Sequence, residues 1–292
     1  MPTSTKSPKS LARGILAGTI SPSEAMGRAD AYDALTHGTT GNRLPFLGTS
    51  TKIDAGKGFG ILSKVLYMMP ADSSGREACS ARSAICTDFC LVSTGRLVYA
   101  TNVSARARKH AAFYADRNRF LADIDLEVKA LVRQAVKAGK VPAVRLNGTT
   151  DLPFHRMPFT AHDGTRYPSV HAANGSVRFY EYTKLPLRIA TKGMPANLHL
   201  TFSVSEKVES DSQAVEYLRA GHSAAVVFAT PKHVHPNRYT LAGHTAKVVD
   251  GDAHDARFLD PRGSVVALAA KGKAKGKPAD GFVRNPTPSL LG

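Results

Sequence analysis

The fold class predicted is an α/β domain whose parallel β/α series forms a complete or partial TIM-like barrel. Three observations predict it. Short runs are mostly apolar throughout rather than alternating, they are separated by turns or helical stretches, and one long segment carries apolar residues at helical spacing. Continuous apolar strands are expected where both faces of a parallel sheet are covered, and right-handed β/α connections join such strands naturally. A chain of 292 residues is ordinary for one large domain of this kind. The reading is an irregular N-terminal arm over residues 1–50 and a barrel-like domain over 51–292 with a basic C-terminal extension.

The arm is rich in Ser, Thr, Gly and Pro, and Ser21-Pro22-Ser23-Glu24 can start a short helix ending near Leu35. From Gly58 to Met69 an apolar, partly β-branched run closed by Pro70 predicts the first buried strand. Between Ser104 and Gly139 the residues Phe113, Phe120, Leu121, Ile124, Val128, Leu131, Val132 and Ala135 recur at steps of three, four and seven, which predicts one long helix ended by Gly139. Further strands are expected at Ala143–Leu146, Val177–Tyr182, Leu198–Val204, Ala224–Ala229, Ala246–Val249 and Val265–Leu268. The crossover between Leu146 and Val177 shows little helical periodicity. The Lys271–Lys277 alternation of Lys, Gly and Ala reads as a basic loop or extension.

The formal charge of +16 comes from basic residues spread over most of the chain, among them Arg106, Arg108, Lys109, Arg117, Arg119, Lys271, Lys273, Lys275 and Lys277. A polyanion such as DNA or RNA is one partner that this balance suits. The alternative is a solvated basic surface. No apolar stretch reaches the length that crosses a bilayer. The segment Leu11–Thr19, interrupted by Arg13, Gly14 and Gly18, makes a poor signal peptide, so a cytoplasmic protein without a membrane partner is expected.

All three cysteines, Cys79, Cys86 and Cys90, fall in one twelve-residue segment. Random placement would give such a cluster roughly once in two hundred sequences. Three thiolates on one loop can converge on a soft metal or on three irons of a four-iron cluster, leaving one coordination position open. A structural zinc completed by a distant histidine, a redox pair with a spare thiol and three buried apolar cysteines remain alternatives. His110, the nearest histidine, lies inside the predicted long helix with no second ligand beside it.

Because the loop follows the first strand, where catalytic loops of parallel folds sit, the arrangement resembles the radical S-adenosylmethionine enzymes. Their usual Cys-x3-Cys-x2-Cys spacing is here Cys-x6-Cys-x3-Cys. That resemblance implies a 4Fe-4S cluster on Cys79, Cys86 and Cys90, with S-adenosylmethionine bound across the strand ends. A second resemblance spans roughly Gly58 to Val283. Pro70-Ala-Asp-Ser-Ser-Gly, the cysteine loop, Val144-Arg-Leu-Asn-Gly-Thr-Thr-Asp, Phe179-Tyr-Glu-Tyr-Thr-Lys and Asp250-Gly-Asp-Ala-His-Asp are similar to the phage gene 88 product family. It implies a phage or prophage origin, hence an infected or lysogenic host cell, and makes the loop a family feature without naming a reaction.

Polar residues at strand ends supply the other candidates. Arg145 suits a carboxylate or phosphate, while Asn147 and Asp151 suit a ribose or an amine. In the radical enzymes a Gly-Gly-Glu segment at this place receives the methionine amino group, and Asn147-Gly148 matches it in part. An ordinary turn with Asx bonds explains the same residues. Glu181, with Tyr182, Thr183 and Lys184, closes the third strand, and Ser203, Ser205 and Glu206 close the fourth. Ser210 and Asp211 are read as caps of a following helix. Asp250, Asp252, His254 and Asp255 crowd one turn and suit a cation, an amine or a general base, a solvated turn being the alternative. His233 and His235 read as loop residues.

No phosphate loop, complete dinucleotide fingerprint or serine elbow is present. Two readings follow: an iron-sulfur enzyme using S-adenosylmethionine, acting on nucleic acid or another phage or host substrate, or a non-enzymatic nucleic-acid-binding protein in which zinc staples the cysteine loop.

Overall fold

A computed structural model describes residues 29–37, 43–277 and 281–286. The strands among them are β1 (Leu47–Gly48), β2 (Ile61–Leu66), β3 (Val141–Arg145), β4 (Phe159–Thr160), β5 (Arg166–Tyr167), β6 (Arg178–Thr183), β7 (Leu198–Ser203), β8 (Ser223–Phe228), β9 (Arg238–Leu241), β10 (His244–Asp250), β11 (Val265–Ala269) and β12 (Val283–Arg284). The α-helices are α1 (Ala29–Thr36), α2 (Thr51–Ala55), α3 (Ala84–Asp88), α4 (Ala100–Ala115), α5 (Arg117–Lys137), α6 (Val170–Ala173), α7 (Leu187–Ala190) and α8 (Ser210–Arg219). All seven predicted strands form and run parallel, as β2, β3, β6, β7, β8, β11 and β10.

The main sheet has the order β1-β2-β3-β6-β7-β8-β11-β10-β9, with β12 pairing β8, and this path does not close among the described residues. Its first five parallel strands follow chain order, but β11 lies inside β10. The return from β10 to β11 therefore reverses direction, and a right-handed crossover places it on the face opposite the other connections. There Ala256 packs with Ile53, Ile61, Val65, Ala143 and Tyr180. The alternate residues Leu66, Val144, Phe179, Leu200 and Phe202 join the larger core with α5 and α8. Strand parity thus sorts each run onto an outer, helix-covered face and an inner face carrying Ser63, Arg145, Tyr180, Tyr182, His199 and Thr201.

The expected long helix is two. Asp116 leaves helical geometry with φ −144° and caps α5, its side chain accepting the Arg119 N–H at 2.9 Å. Periodicity alone does not reveal the break because both helices bury apolar residues in one core. The end is as read: Gly139 takes φ 61° just beyond α5. The Leu146–Val177 crossover holds the β4–β5 hairpin and only the four-residue α6. β9 escapes a search for continuous apolar runs because Arg238–Leu241 alternates. It turns into β10 through Ala242 and Gly243, both at positive φ.

Of the predicted arm helix, the described part is α1, whose Tyr32 and Leu35 are buried; residues 23–28 lie outside the described residues. Phe46 and Leu47 also enter the core. Arg106, Arg108 and Lys109, counted among the basic residues whose balance suits a polyanion, are only 4%, 9% and 8% exposed. Arg106 donates to Leu97 O and Arg108 to Pro45 O, so these three leave the surface set. No helix of the described residues is long and apolar enough to cross a membrane.

Burial pushes His110, His199 and His254 down to about 4, the last helped by Arg257 and Lys52. A group with a depressed folded pKa of this kind stabilises the fold fully above the ordinary imidazole value near 6.5, and that stability is lost as the pH falls towards 4. His110 is 2% exposed and accepts or shares a hydrogen bond with Ser74 Oγ. His110→Gln is expected to make the fall in unfolding free energy between pH 6 and pH 5 shallower by about 1 kcal/mol per pH unit. Urea unfolding across that range checks it, and an unchanged slope would refute it.

A cysteine-lined cavity at the carboxyl ends of the parallel strands

The inner face opens, at the C-terminal ends of the strands, into a cavity of about 310 Å³. Tyr67, Arg145, Tyr182, Ser203, Val227 and Leu268 line it, one residue from or just beyond each of β2, β3, β6, β7, β8 and β11. They share a parity because the strands are paired in register. The cysteine segment completes the lining with Cys79, Cys86, Phe89, Cys90 and Leu91.

That segment is held at both ends of its course. Ala78 N–H donates to Ala71 O and Asp151 N–H donates to Ala78 O, both at 2.8 Å, which fastens the residue before Cys79 to the β2 and β3 loops. Arg82 pairs with Glu77 at 2.9 Å and Asp72 at 3.0 Å. Ser83 caps α3, its Oγ accepting the Cys86 N–H at 3.0 Å. Cys79 Sγ receives Ala71 N–H at 3.5 Å and donates to Thr149 O at 3.8 Å.

All three cysteines are free and half-buried. Burial pushes the Cys79 thiol up to about 12 and raises that of Cys90. Such thiols stay protonated at neutral pH until a cation or metal replaces the proton. Among the described residues, no three His, Cys, Asp or Glu side chains already stand as a ligand set. The donor chemistry, three soft sulfurs lining one cavity, nonetheless suits a soft metal or a cluster.

Four of the seven strand-end candidates line the cavity: Arg145, Asn147, Asp151 and Ser203. Arg145 donates from Nε to Asn147 O and from Nη1 to Asp255, both at 3.0 Å. Asn147 organises the β3 turn: its Oδ1 accepts Leu152 N–H at 2.9 Å and Thr150 Oγ–H at 2.8 Å, and its Nδ2 donates to Leu152 O and Glu181. Asp151 accepts Lys184 N–H at 2.9 Å and Thr183 Oγ–H at 3.1 Å, and burial pushes its carboxyl up to about 6. Lys184 Nζ donates to Ser203 O at 2.8 Å and to its Oγ at 3.0 Å.

Glu181, Glu206 and Asp252 are not in the lining. Glu181 has outer-face parity and is buried 3.7 Å from His171. Glu206 Oε2 is buried without a partner among the described residues. Asp252 accepts Ala269 N–H at 2.8 Å and pairs with Lys271 at 2.6 Å, which ties the β10 turn to β11. Its neighbour Asp255 does reach the cavity, and Asp250 pairs with His233. Neither Ser210 nor Asp211 caps α8: Glu209 stands at the cap without a side-chain bond, Ser210 Oγ accepts Ser205 N–H, and Asp211 pairs with Arg284.

Lys52, Tyr67 and Lys271 also line the cavity, and sequence pattern did not mark them as site residues. Tyr67 was findable by extending the parity of Ser63 and Val65. Lys52 lies between β1 and β2 and carries no signal in the sequence pattern.

Gly148 sets the floor's backbone approach. A Cβ there would stand 2.6 Å from Leu66 O and 2.7 Å from Tyr67 Cδ1. Gly148→Ala is expected to cost about 1–3 kcal/mol through displacement of the β2 end. Thermal unfolding measures this, and an unchanged Tm would contradict it.

A profile of the family described as Gene product 88 matches residues 40–285. No curated protein and no solved structure matches the chain.

Proposed function

We propose, from the premise that the chain belongs to the Gene product 88 family, that this phage protein is a radical S-adenosylmethionine-like enzyme whose Cys79, Cys86 and Cys90 ligate a 4Fe-4S cluster. One observation carries the reading: every cysteine of the protein lines the same cavity as the carboxyl ends of the parallel strands. The reading takes the open sheet as a partial TIM-like barrel with this cavity as its mouth. A four-iron cluster held by three thiolates keeps one iron open to an exogenous ligand and supplies one-electron chemistry there.

The chain's own residues have separable tasks in this reading. Ser83 fixes the turn that carries Cys86, and the Ala71 N–H stabilises negative charge on Cys79 Sγ. Arg145, Asp151 and Ser203 present polar groups to S-adenosylmethionine across the strand ends, with Asp151 suited to its amino group and Asn147 shaping the turn that carries Asp151. Phe89, Val227 and Leu268 present apolar surface to the cavity. The exposed Lys273, Lys275 and Lys277 follow Lys271 at the cavity's edge, and Lys273 pairs with Asp88 of α3 at 3.0 Å. Basic charge beside the mouth favours nucleic acid among the substrate classes.

After anaerobic reconstitution and reduction with dithionite, the protein is expected to cleave S-adenosylmethionine to methionine and 5′-deoxyadenosine. Cys79/Cys86/Cys90→Ala protein is expected to release neither, and equal or absent cleavage in both proteins would reject the proposal.

The charge of +16 favours a second reading, a non-enzymatic nucleic-acid-binding protein with zinc at the cysteine loop. It requires binding to DNA or RNA that weakens steeply with salt and a colourless zinc protein.

A further inference from the structure

Part of the cavity lining is built by α2 and by the 251–260 segment that crosses the inner face. Lys52 Nζ lies 3.4 Å from Asp255 Oδ1, and Arg145 Nη1 lies 3.0 Å from Asp255 Oδ2. Two cations therefore share one carboxylate, itself 4% exposed. The surroundings do not restore the balance. Arg257 pairs with Asp260 at 3.3 Å and Lys271 with Asp252 at 2.6 Å, so four cations face three carboxylates. Lys52, Arg145, Asp255 and Lys271 all line the cavity. Arg145 commits Nε and Nη1, and its Nη2 makes no hydrogen bond among the described residues.

Excess positive charge in a partly desolvated site is costly unless an anion accompanies it. We infer that Lys52 and Arg145 form an anion subsite, which takes a carboxylate or phosphate group of the small molecule bound in the cavity. Lys52 supplies a mobile ammonium and Arg145 a fixed guanidinium edge, while Asp255 orients both rather than touching the ligand. The direction in which burial drives Lys52, downward from the usual ammonium value, agrees with a cation that lacks its full complement of negative charge. The subsite rests on the cavity being a small-molecule site, a part of the function proposed above, but not on the cluster.

Calorimetric titration of the full chain with inorganic phosphate and, separately, with succinate tests this. At least one of the two is expected to bind at one saturable site, and which one does so separates phosphate from carboxylate as the source. Lys52→Met is expected to weaken that binding by about tenfold or more, Lys52→Arg to retain most of it, and the exposed-residue control Lys137→Met to leave it unchanged. Saturable anion binding is expected in protein whose iron and sulfide analysis returns no cluster as well as in reconstituted protein, so that failure of the cluster reading and failure of the subsite give different results. Independently of any variant, saturating anion is expected to slow acetylation of Lys52 in the wild-type protein, read by mass spectrometry. Absence of saturable binding, equal binding by Lys52→Met, or Lys52 acetylation indifferent to anion would overturn the assignment.

Discussion

Asp255→Asn is expected to lower the unfolding free energy by about 3–5 kcal/mol. The carboxylate is buried, and although burial opposes its charge, Arg145, Lys52 and Arg257 hold it well below the ordinary carboxyl value. Removing it leaves Arg145 and Lys52 facing each other without a counterion on the inner face. The loss is much larger than that of an exposed pair such as Lys57–Asp54, whose replacement is expected to change stability by about 0–1 kcal/mol. Urea unfolding of the two variants side by side measures the difference. A cost for Asp255→Asn no greater than that for Asp54→Asn would mean that the pair is not the support of the cavity floor.

The second large effect concerns iron. Each of Cys79→Ala, Cys86→Ala and Cys90→Ala is expected to lower iron in anaerobically reconstituted protein to about a tenth of the wild-type content or less, because a three-ligand cluster has no spare protein donor. Stability should hardly follow, since the thiols are half-buried and carry little of the core; a change of about 1 kcal/mol or less is expected. Full iron retention by any one of the three would remove that cysteine from the ligand set.

Much of this architecture is legible in the residues. Continuous runs such as Ala224–Ala229 and Val265–Leu268 announce strands covered on both faces, and each is found in the parallel sheet. What pattern alone could not supply is order. Nothing in the Ala246–Val249 run says that β11 will insert between β8 and β10, yet that exchange brings Asp255 and Arg257 across the inner face. The same limit explains the candidate site. Arg145 and Ser203 were found because they close strands, whereas Glu181 closes one too but has the other parity, and Asp252 is consumed by Lys271. Lys52 becomes visible only when α2 is seated against Asp255. Buried Arg106, Arg108 and Lys109 make the complementary point, because charge counted along a chain does not reveal which cations reach solvent.

The most direct test of the central claim is iron and acid-labile sulfide analysis, with an electron paramagnetic resonance spectrum, on protein purified without oxygen. About four irons and four sulfides per chain and a reduced-cluster signal are expected, all absent from Cys79/Cys86/Cys90→Ala protein. One zinc per chain, or no metal after anaerobic reconstitution, would contradict it.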